Sequence, residues 1–335
     1  MSDSWPNRLK SAIRARLSPQ NLKRARIVGR SVRDLRATFE REPVPTYPIG
    51  IDELRATLLE LGIKKGDLLH VQSSLSHLYR GAVKPPPEAI HGKLWAYAEN
   101  IITLLQDLVG ESGTIMMLTD PPRPVGWLRR LAAGHEIEDD VFDPALHVST
   151  RGLISECFRK RPDVVRSVHP FYNVSVWGRL REDLIMDHHR STPYAMDIHS
   201  PWYKLTTQGG KVLLLGITFH INSLFRLVEY LHPEEFPRPI FMNRPVQMGY
   251  LDHSGRRQNI DVRLHCSGAP GSSLFNSPQS QFEFGEYINS LYGIYTIKQF
   301  QDDVRIVCYD AKAQYEACVS EMRRGVTIYD PQFQP

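Results

Sequence analysis

The sequence predicts an α/β fold, layered, with a central mixed β-sheet flanked by helices and a hairpin-containing insertion. Three observations predict it. Short aliphatic runs at residues 68–72, 114–118 and 211–215 read as buried strands. Segments with apolar residues at helical spacing alternate with them, as layered α/β chains require. Asp252, His253, Ser254 and Gly255 sit between two extended stretches and have the chemistry of a hairpin turn.

Taken in order, Ile51, Leu54, Leu58, Leu59 and Leu61 outline a short helix ended by Gly62. The strand at 68–72 follows. Pro85, Pro86 and Pro87 mark a loop. Leu94, Tyr97, Ala98, Ile101, Ile102, Leu105 and Leu108 form the apolar face of a helix closed by Gly110. After the strand at 114–118, a long loop is expected over 120–148; loops of that length are commonly functional. Strands are expected at 172–177 and 211–215, and a helix at 223–231 with Leu224, Leu227, Val228 and Leu231 inward. The stretches 241–251 and 258–265 flank the hairpin turn, inside an insertion at about 235–300. A strand at 304–309 and a helix at 311–322 close the fold.

With 335 residues, 41% apolar and 23% charged, the chain is long enough for a large core and ordinary for a globular protein. Cys157, Cys266, Cys308 and Cys318 lack the C-x-x-C spacing, which points to reduced thiols and a cytoplasmic setting. No apolar run is long enough to span a bilayer, and the N-terminus lacks the core of a secretion signal. The net charge of +4 is unevenly spread, because residues 1–45 carry 11 Lys+Arg against 4 Asp+Glu. Leu9, Ile13 and Leu17 fall at helical spacing among those charges, so 1–45 reads as a basic helical N-terminal extension. Such an element lies peripherally on an anionic membrane face, covers a second subunit in a homo-oligomer, or remains a solvated arm. It lacks the interleaved aromatics of a single-strand binder, so no nucleic-acid partner is expected. Pro43, Pro45 and Pro48 form a linker to a second unit, 46–335.

Several motifs are missing. There is no G-x-G-x-x-G, no P-loop and no G-x-S-x-G elbow. His188 and His189 beside Asp187 do not have metal-ligand spacing, and no metal is expected.

The ordered blocks that remain resemble the aminoglycoside 3-N-acetyltransferase family. They are Gly66, Asp67, Leu68, Leu69 with Val71, Gln72, Ser73, Ser74, Leu75 and Ser76; Gly113–Thr114–Ile115–Met116; Phe142, Asp143 and Pro144; Arg151–Gly152–Leu153–Ile154–Ser155–Glu156; and Arg166, Ser167, Val168, His169, Pro170 as R-S-x-H-P. Ser200–Pro201, Lys204–Leu205, the 210–216 strand and Tyr309–Asp310–Ala311 continue the series to the C-terminus. The resemblance implies that 46–335 is acyltransferase-like, uses acetyl-CoA or another acyl-CoA as co-substrate, and acts on a small-molecule amine. The chemistry is coherent. An amine with a pKa near 10 is almost wholly ionised at pH 7, so a positioned base that removes its proton is worth about 10²–10⁴-fold.

By resemblance, Gln72, Ser73, Ser74, Leu75 and Ser76, with Arg166 and Ser167, contact the donor, and Glu138, Asp139 and Asp143 lie near the acceptor. His169 is a catalytic, binding or structural histidine. Three family positions differ. Gln72 replaces a histidine, and Arg226, in the segment carrying Glu229, replaces the catalytic histidine. An arginine stays protonated and is no general base. His265, which falls where the family has a glutamate, and His220 are therefore the candidate bases. Two outcomes follow: acyl transfer with one of these imidazoles as base, or a catalytically degenerate member that only binds. An arginine at the reaction centre favours an anionic acceptor. Residues 1–45 also resemble the basic N-terminal extension of family members that acylate amino sugars for polysaccharide biosynthesis, so the resemblance implies an amino sugar or nucleotide-linked amino sugar as acceptor, with an aminoglycoside as the alternative.

Overall fold

A computed structural model describes residues 49–78, 87–123, 127, 130, 141–266, 277–299 and 304–333. These all belong to one compact unit, Tyr47–Pro335. The helix expected within 1–45, and Glu138 and Asp139, lie outside the described residues.

A seven-stranded mixed sheet forms the centre. Its strands are β1 (Leu68–Ser73), β2 (Thr114–Leu118), β3 (Val165–Arg166), β4 (Val174–Gly178), β5 (Lys211–Leu215), β8 (Thr296–Gln299) and β9 (Arg305–Asp310). They lie in the order β3-β4-β2-β1-β5-β9-β8. The hairpin strands β6 (Val246–Leu251) and β7 (Arg257–Val262) pair separately. β1 runs parallel to both β2 and β5, while β4 and β9 are antiparallel to their neighbours. The strands read as continuous aliphatic runs because both faces are covered. Alternate residues point to opposite sides. Leu69, Val71, Ile115, Met117, Leu213 and Leu215 pack in one core with α1 (Ile51–Glu60) and α3 (Pro87–Val109). Leu68, Met116, Leu118, Val212 and Leu214 face a second core that holds Trp202 and the hairpin residues Met248 and Ile260.

The central elements appear as expected, with α1 ended by Gly62 at φ +77° and β2 and β5 at the expected residues. Differences have local causes. The strand expected from 172 begins at Val174, because Tyr172 adopts a left-handed turn at φ 53°. In the 223–231 segment the first turn, Ser223–Arg226, is a 3-10 helix capped by Asn222, whose Oδ1 accepts from Leu224 N at 3.1 Å; α7 (Leu227–Leu231) follows. The 235–300 insertion is not hairpins throughout. It contains α8 (Pro278–Tyr292), capped by Ser277 and Ser280, and the edge strand β8 of the main sheet. Helices α2 (Leu75–Leu78), α4 (Leu153–Arg159), α5 (Arg181–Ile185) and α6 (Pro201–Thr207) join the expected ones, and α9 (Ala311–Arg323) closes the chain's helical layer. α6 starts as a capped Ser-Pro pair, with Ser200 Oγ accepting from Tyr203 N at 3.2 Å.

Candidate active site

The chain leaves β1 for β2 on one side of the sheet and reaches β5 on the other. This makes the carboxyl end of β1 a topological switch point, the usual ligand position in open α/β sheets. A cavity of about 440 Å³ lies there. One wall is Val71 to Ser76, continuing from β1 into α2. The other is Thr150 to Leu153 with Ser155, and Leu118, Ile217 and Ile221 complete it.

Both walls are fixed by the backbone. Ser74 N donates to Leu215 O at 2.9 Å, and Leu78 N donates to Ser74 O at 3.2 Å. Gly216, at φ +66°, passes so close that a Cβ would lie 3.1 Å from Ser74 O. Opposite, Thr150 N donates to Asp120 O, and Arg151 pairs with Asp120 at 2.5 Å. Gly152 holds φ 99° and ψ 169°, backbone essentially restricted to glycine. Ser74 Oγ lies 2.7 Å from His77 Nδ1 and 3.0 Å from Ser76 Oγ. Apolar walls with serine hydroxyls suit a pantetheine arm, whose alkyl stretches alternate with amides.

Gln72 ties this cavity to the next segment. Its amide donates to Ile221 O at 3.2 Å and to Ser223 Oγ at 3.0 Å, and accepts from Ser223 N. His220, just before Ile221, is paired with Thr218 Oγ1 at 2.8 Å. Burial, then the neighbouring His77, lowers its pKa below the usual histidine value, so it is neutral at pH 7.

Arg226, Glu229 and His265 do come together, but outside the cavity lining. Arg226 Nη1 donates to both Glu229 oxygens at 3.2 and 3.1 Å and lies 3.0 Å from His265 Nε2. Tyr329, which no sequence motif singled out, completes the cluster: its hydroxyl lies 2.9 Å from Glu229 Oε1 and 2.7 Å from His265 Nε2 and meets Arg226. Burial lowers the His265 pKa, against the pull of Glu229. Burial would raise the Glu229 carboxyl, but Arg226 and His265 outweigh it and hold it low. The guanidinium, penalised by burial, is held charged by Glu229. His265 Nε2 lies 3.0 Å from Arg226 Nη1, 2.7 Å from the Tyr329 hydroxyl and 3.1 Å from Glu229 Oε2, so this nitrogen is enclosed by protein partners. The charge of Glu229 offsets that of Arg226, whose Nη1 is spent on this cluster. The sequence suggests that Arg226 clamps an anionic acceptor; in the fold its Nη1 is turned to Glu229. Tyr172 connects the two regions. Burial raises its pKa, and it feels the charges of Arg226, Asp120, Glu229 and Arg151.

The R-S-x-H-P element braces the fold. Arg166 is buried and donates to Asn173 Oδ1 at 2.9 Å, to the carbonyls of Pro144 and His147, and to Thr119 O. Burial, then Arg159, pulls its pKa down to about 10. Ser167 Oγ accepts from Val174 N at 3.0 Å and meets His188 Nδ1 at 2.9 Å. His169 is fully buried: Nδ1 accepts from Phe171 N and Nε2 donates to Ser191 O, both at 3.0 Å. Arg166 and Ser167, expected at the donor, and His169, read as catalytic, binding or structural, thus spend polar atoms on protein partners. Asp143, expected near the acceptor, instead caps a turn, accepting from Ala145 N at 2.8 Å and Leu146 N at 3.2 Å.

Residues 88–286 match the family profile described as aminoglycoside 3-N-acetyltransferase. The chain belongs to the aminoglycoside 3-N-acetyltransferase family. It is accordingly an acetyl-CoA-dependent N-acetyltransferase. The aminoglycoside N(3')-acetyltransferase-like protein YokD of Bacillus subtilis is 31% identical over 202 residues, covering 56% of this chain and 67% of YokD. Aminoglycoside N(3)-acetyltransferase VII of Streptomyces paromomycinus is 30% identical over 208 residues, covering 59% and 66%. In structure, AAC-IIIb in a binary complex with CoASH superposes with a TM-score of 0.65 at 22% identity, over 84% of this chain and 98% of that one. AAC(3)-IVa, solved as a mutant in complex with apramycin, gives 0.59 at 20% identity over 87% and 97%.

Proposed function

We propose that the protein acetylates an amino group of an aminoglycoside-like polyamine, with the thioester of acetyl-CoA held in the cavity at the end of β1. The observation that carries this reading is the cavity itself, bounded by Ser73 to Ser76 and Thr150 to Leu153 at the switch point of a sheet of this family. The relatives' named substrates favour an aminoglycoside over a nucleotide-linked amino sugar. Pairing of Arg226 with Glu229 removes the charge argument for a phosphate-bearing acceptor.

Acetyl transfer requires a neutral amine at the thioester carbonyl and a group to take its proton. His220 fills that role best. It adjoins the cavity through Ile221, and its imidazole is neutral at pH 7. His265 is less suited, because Arg226, Tyr329 and Glu229 enclose its Nε2. The Arg226–Glu229–His265–Tyr329 cluster then supports the segment that carries His220 rather than moving protons.

The test is thiol release from acetyl-CoA by the full chain, with a panel of aminoglycosides and of nucleotide-linked amino sugars. Amine-dependent release with aminoglycosides supports the reading. Release with the nucleotide sugars alone overturns the acceptor assignment, and no amine-dependent release with either panel overturns the function.

A further inference from the structure

Amine acetylation by direct transfer needs no protein nucleophile, yet the cavity presents one beside a base. Ser74 is half-buried and lines the cavity, and its Oγ lies 2.7 Å from His77 Nδ1. Ser76 Oγ, at 3.0 Å, is a third member of the group. The serine cannot drift. Its N–H is held by Leu215 O, its carbonyl by Leu78 N, and Gly216 closes against that carbonyl from behind. A serine hydroxyl is weakly nucleophilic at neutral pH. An imidazole within hydrogen-bond reach is what activates it. His77 is exposed, and the electrostatic neighbour it meets among the histidines is His220, beside cavity-lining Ile221.

We infer that Ser74 and His77 form a nucleophile–base pair that gives this protein a second activity, hydrolysis of an acyl-CoA thioester when no amine is bound. The inference rests on the donor site proposed above. Ser74 Oγ attacks the thioester carbonyl carbon while His77 Nδ1 takes the hydroxyl proton. The C–S bond breaks, the proton passes to the leaving sulfur, and free CoA thiol departs from an acetyl ester on Ser74. Water then attacks the ester carbonyl. His77 takes a proton from that water and returns it to Ser74 Oγ as the ester C–O bond breaks. The net reaction is thioester plus water to acetate and thiol, with no change of oxidation state. An amine seated in the adjoining site competes with the water.

The experiment incubates the full chain with acetyl-CoA and no amine, follows free thiol, and maps acetylation by mass spectrometry. Expected are slow thiol release beyond one equivalent and a hydroxylamine-labile acetyl group on the peptide containing Ser74. Ser74→Ala removes both. His77→Gln, a change at an exposed position, slows release about 10²-fold, and added imidazole restores part of it. Thiol release that persists unchanged in Ser74→Ala, or acetylation confined to other residues, overturns the inference. Calorimetry with CoA separates this from the parent reading. A chain that binds no CoA sinks both. One that binds CoA and acetylates aminoglycosides, yet shows no amine-free turnover, sinks the second activity alone.

Discussion

Glu229→Gln isolates the role of the buried polar cluster. The Glu229 side chain is 1% exposed and that of Arg226 17%, so their pairing is largely shielded from water. Glutamine keeps the volume and one acceptor oxygen but removes the negative charge. Arg226 cannot shed its proton in response. Breaking one side of a buried pair costs about 3–5 kcal/mol, and the residual exposure of Arg226 puts this case near 3. Removing both charges with Arg226→Met and Glu229→Leu leaves no orphan ion, and such swaps are often close to neutral. The double variant should therefore be more stable than Glu229→Gln. A double-mutant cycle built with Arg226→Met should show coupling of about 2–3 kcal/mol. Urea unfolding followed by tryptophan fluorescence reads this, since Trp202 is fully buried. With a slope of about 3 kcal/mol per molar, the single change lowers the midpoint by about 1 M. A shift under about 0.2 M, or effects that simply add, would refute the view that Arg226 and Glu229 are a mutually dependent ion pair.

Three other outcomes are expected. His70 and His169 are buried neutral, with burial holding each pKa down to about 4. The unfolded chain binds their protons near pH 6.5 and the folded chain does not, so stability is full above that pH and is lost as pH falls towards 4, by about 3 kcal/mol per histidine. Melting temperature should drop steadily between pH 7 and 4.5, and a flat profile would contradict this. His220→Gln should lower kcat about 10²-fold. In the wild type, kcat/KM should rise with slope two below the depressed His220 pKa, since both base and amine must lose protons, and with slope one in the variant. An unchanged slope removes His220 as base. Gly152→Ala forces a side chain into a backbone region near φ 99° and should cost about 1–3 kcal/mol while weakening CoA binding. Wild-type affinity in that variant would show that the wall can relax.

The sheet was legible because its strands are buried on both faces, and residues such as Val212, Leu213 and Leu214 leave no other reading of the 211–215 run. The turn after β1 that lines the cavity was legible because Ser73 to Ser76 follow such a strand directly. Arg226, Glu229 and His265 could be grouped from the family resemblance, but their bonding could not. How these three meet depends on the segment after β7, where His265 bridges to Phe241, and on Tyr329, about 100 residues beyond Glu229. Arg166 and His169 were ambiguous for a physical reason. A polar motif that braces a loop uses the same residue types as one that binds a ligand, and burial distinguishes them only once Thr119, Ser191 and Asn173 are folded around them. The short helix at Pro201 had a local signal, a serine before a proline. The edge strand β8 had little, since its residues are half-exposed or exposed.

The central claim is that the acyl donor enters at the end of β1. A crystal structure of the full chain with CoA tests it most directly. The account predicts the pantetheine arm between Ser73 to Ser76 and Thr150 to Leu153, its sulfur towards His220. CoA bound elsewhere, with this cavity closed by its own side chains, would contradict it.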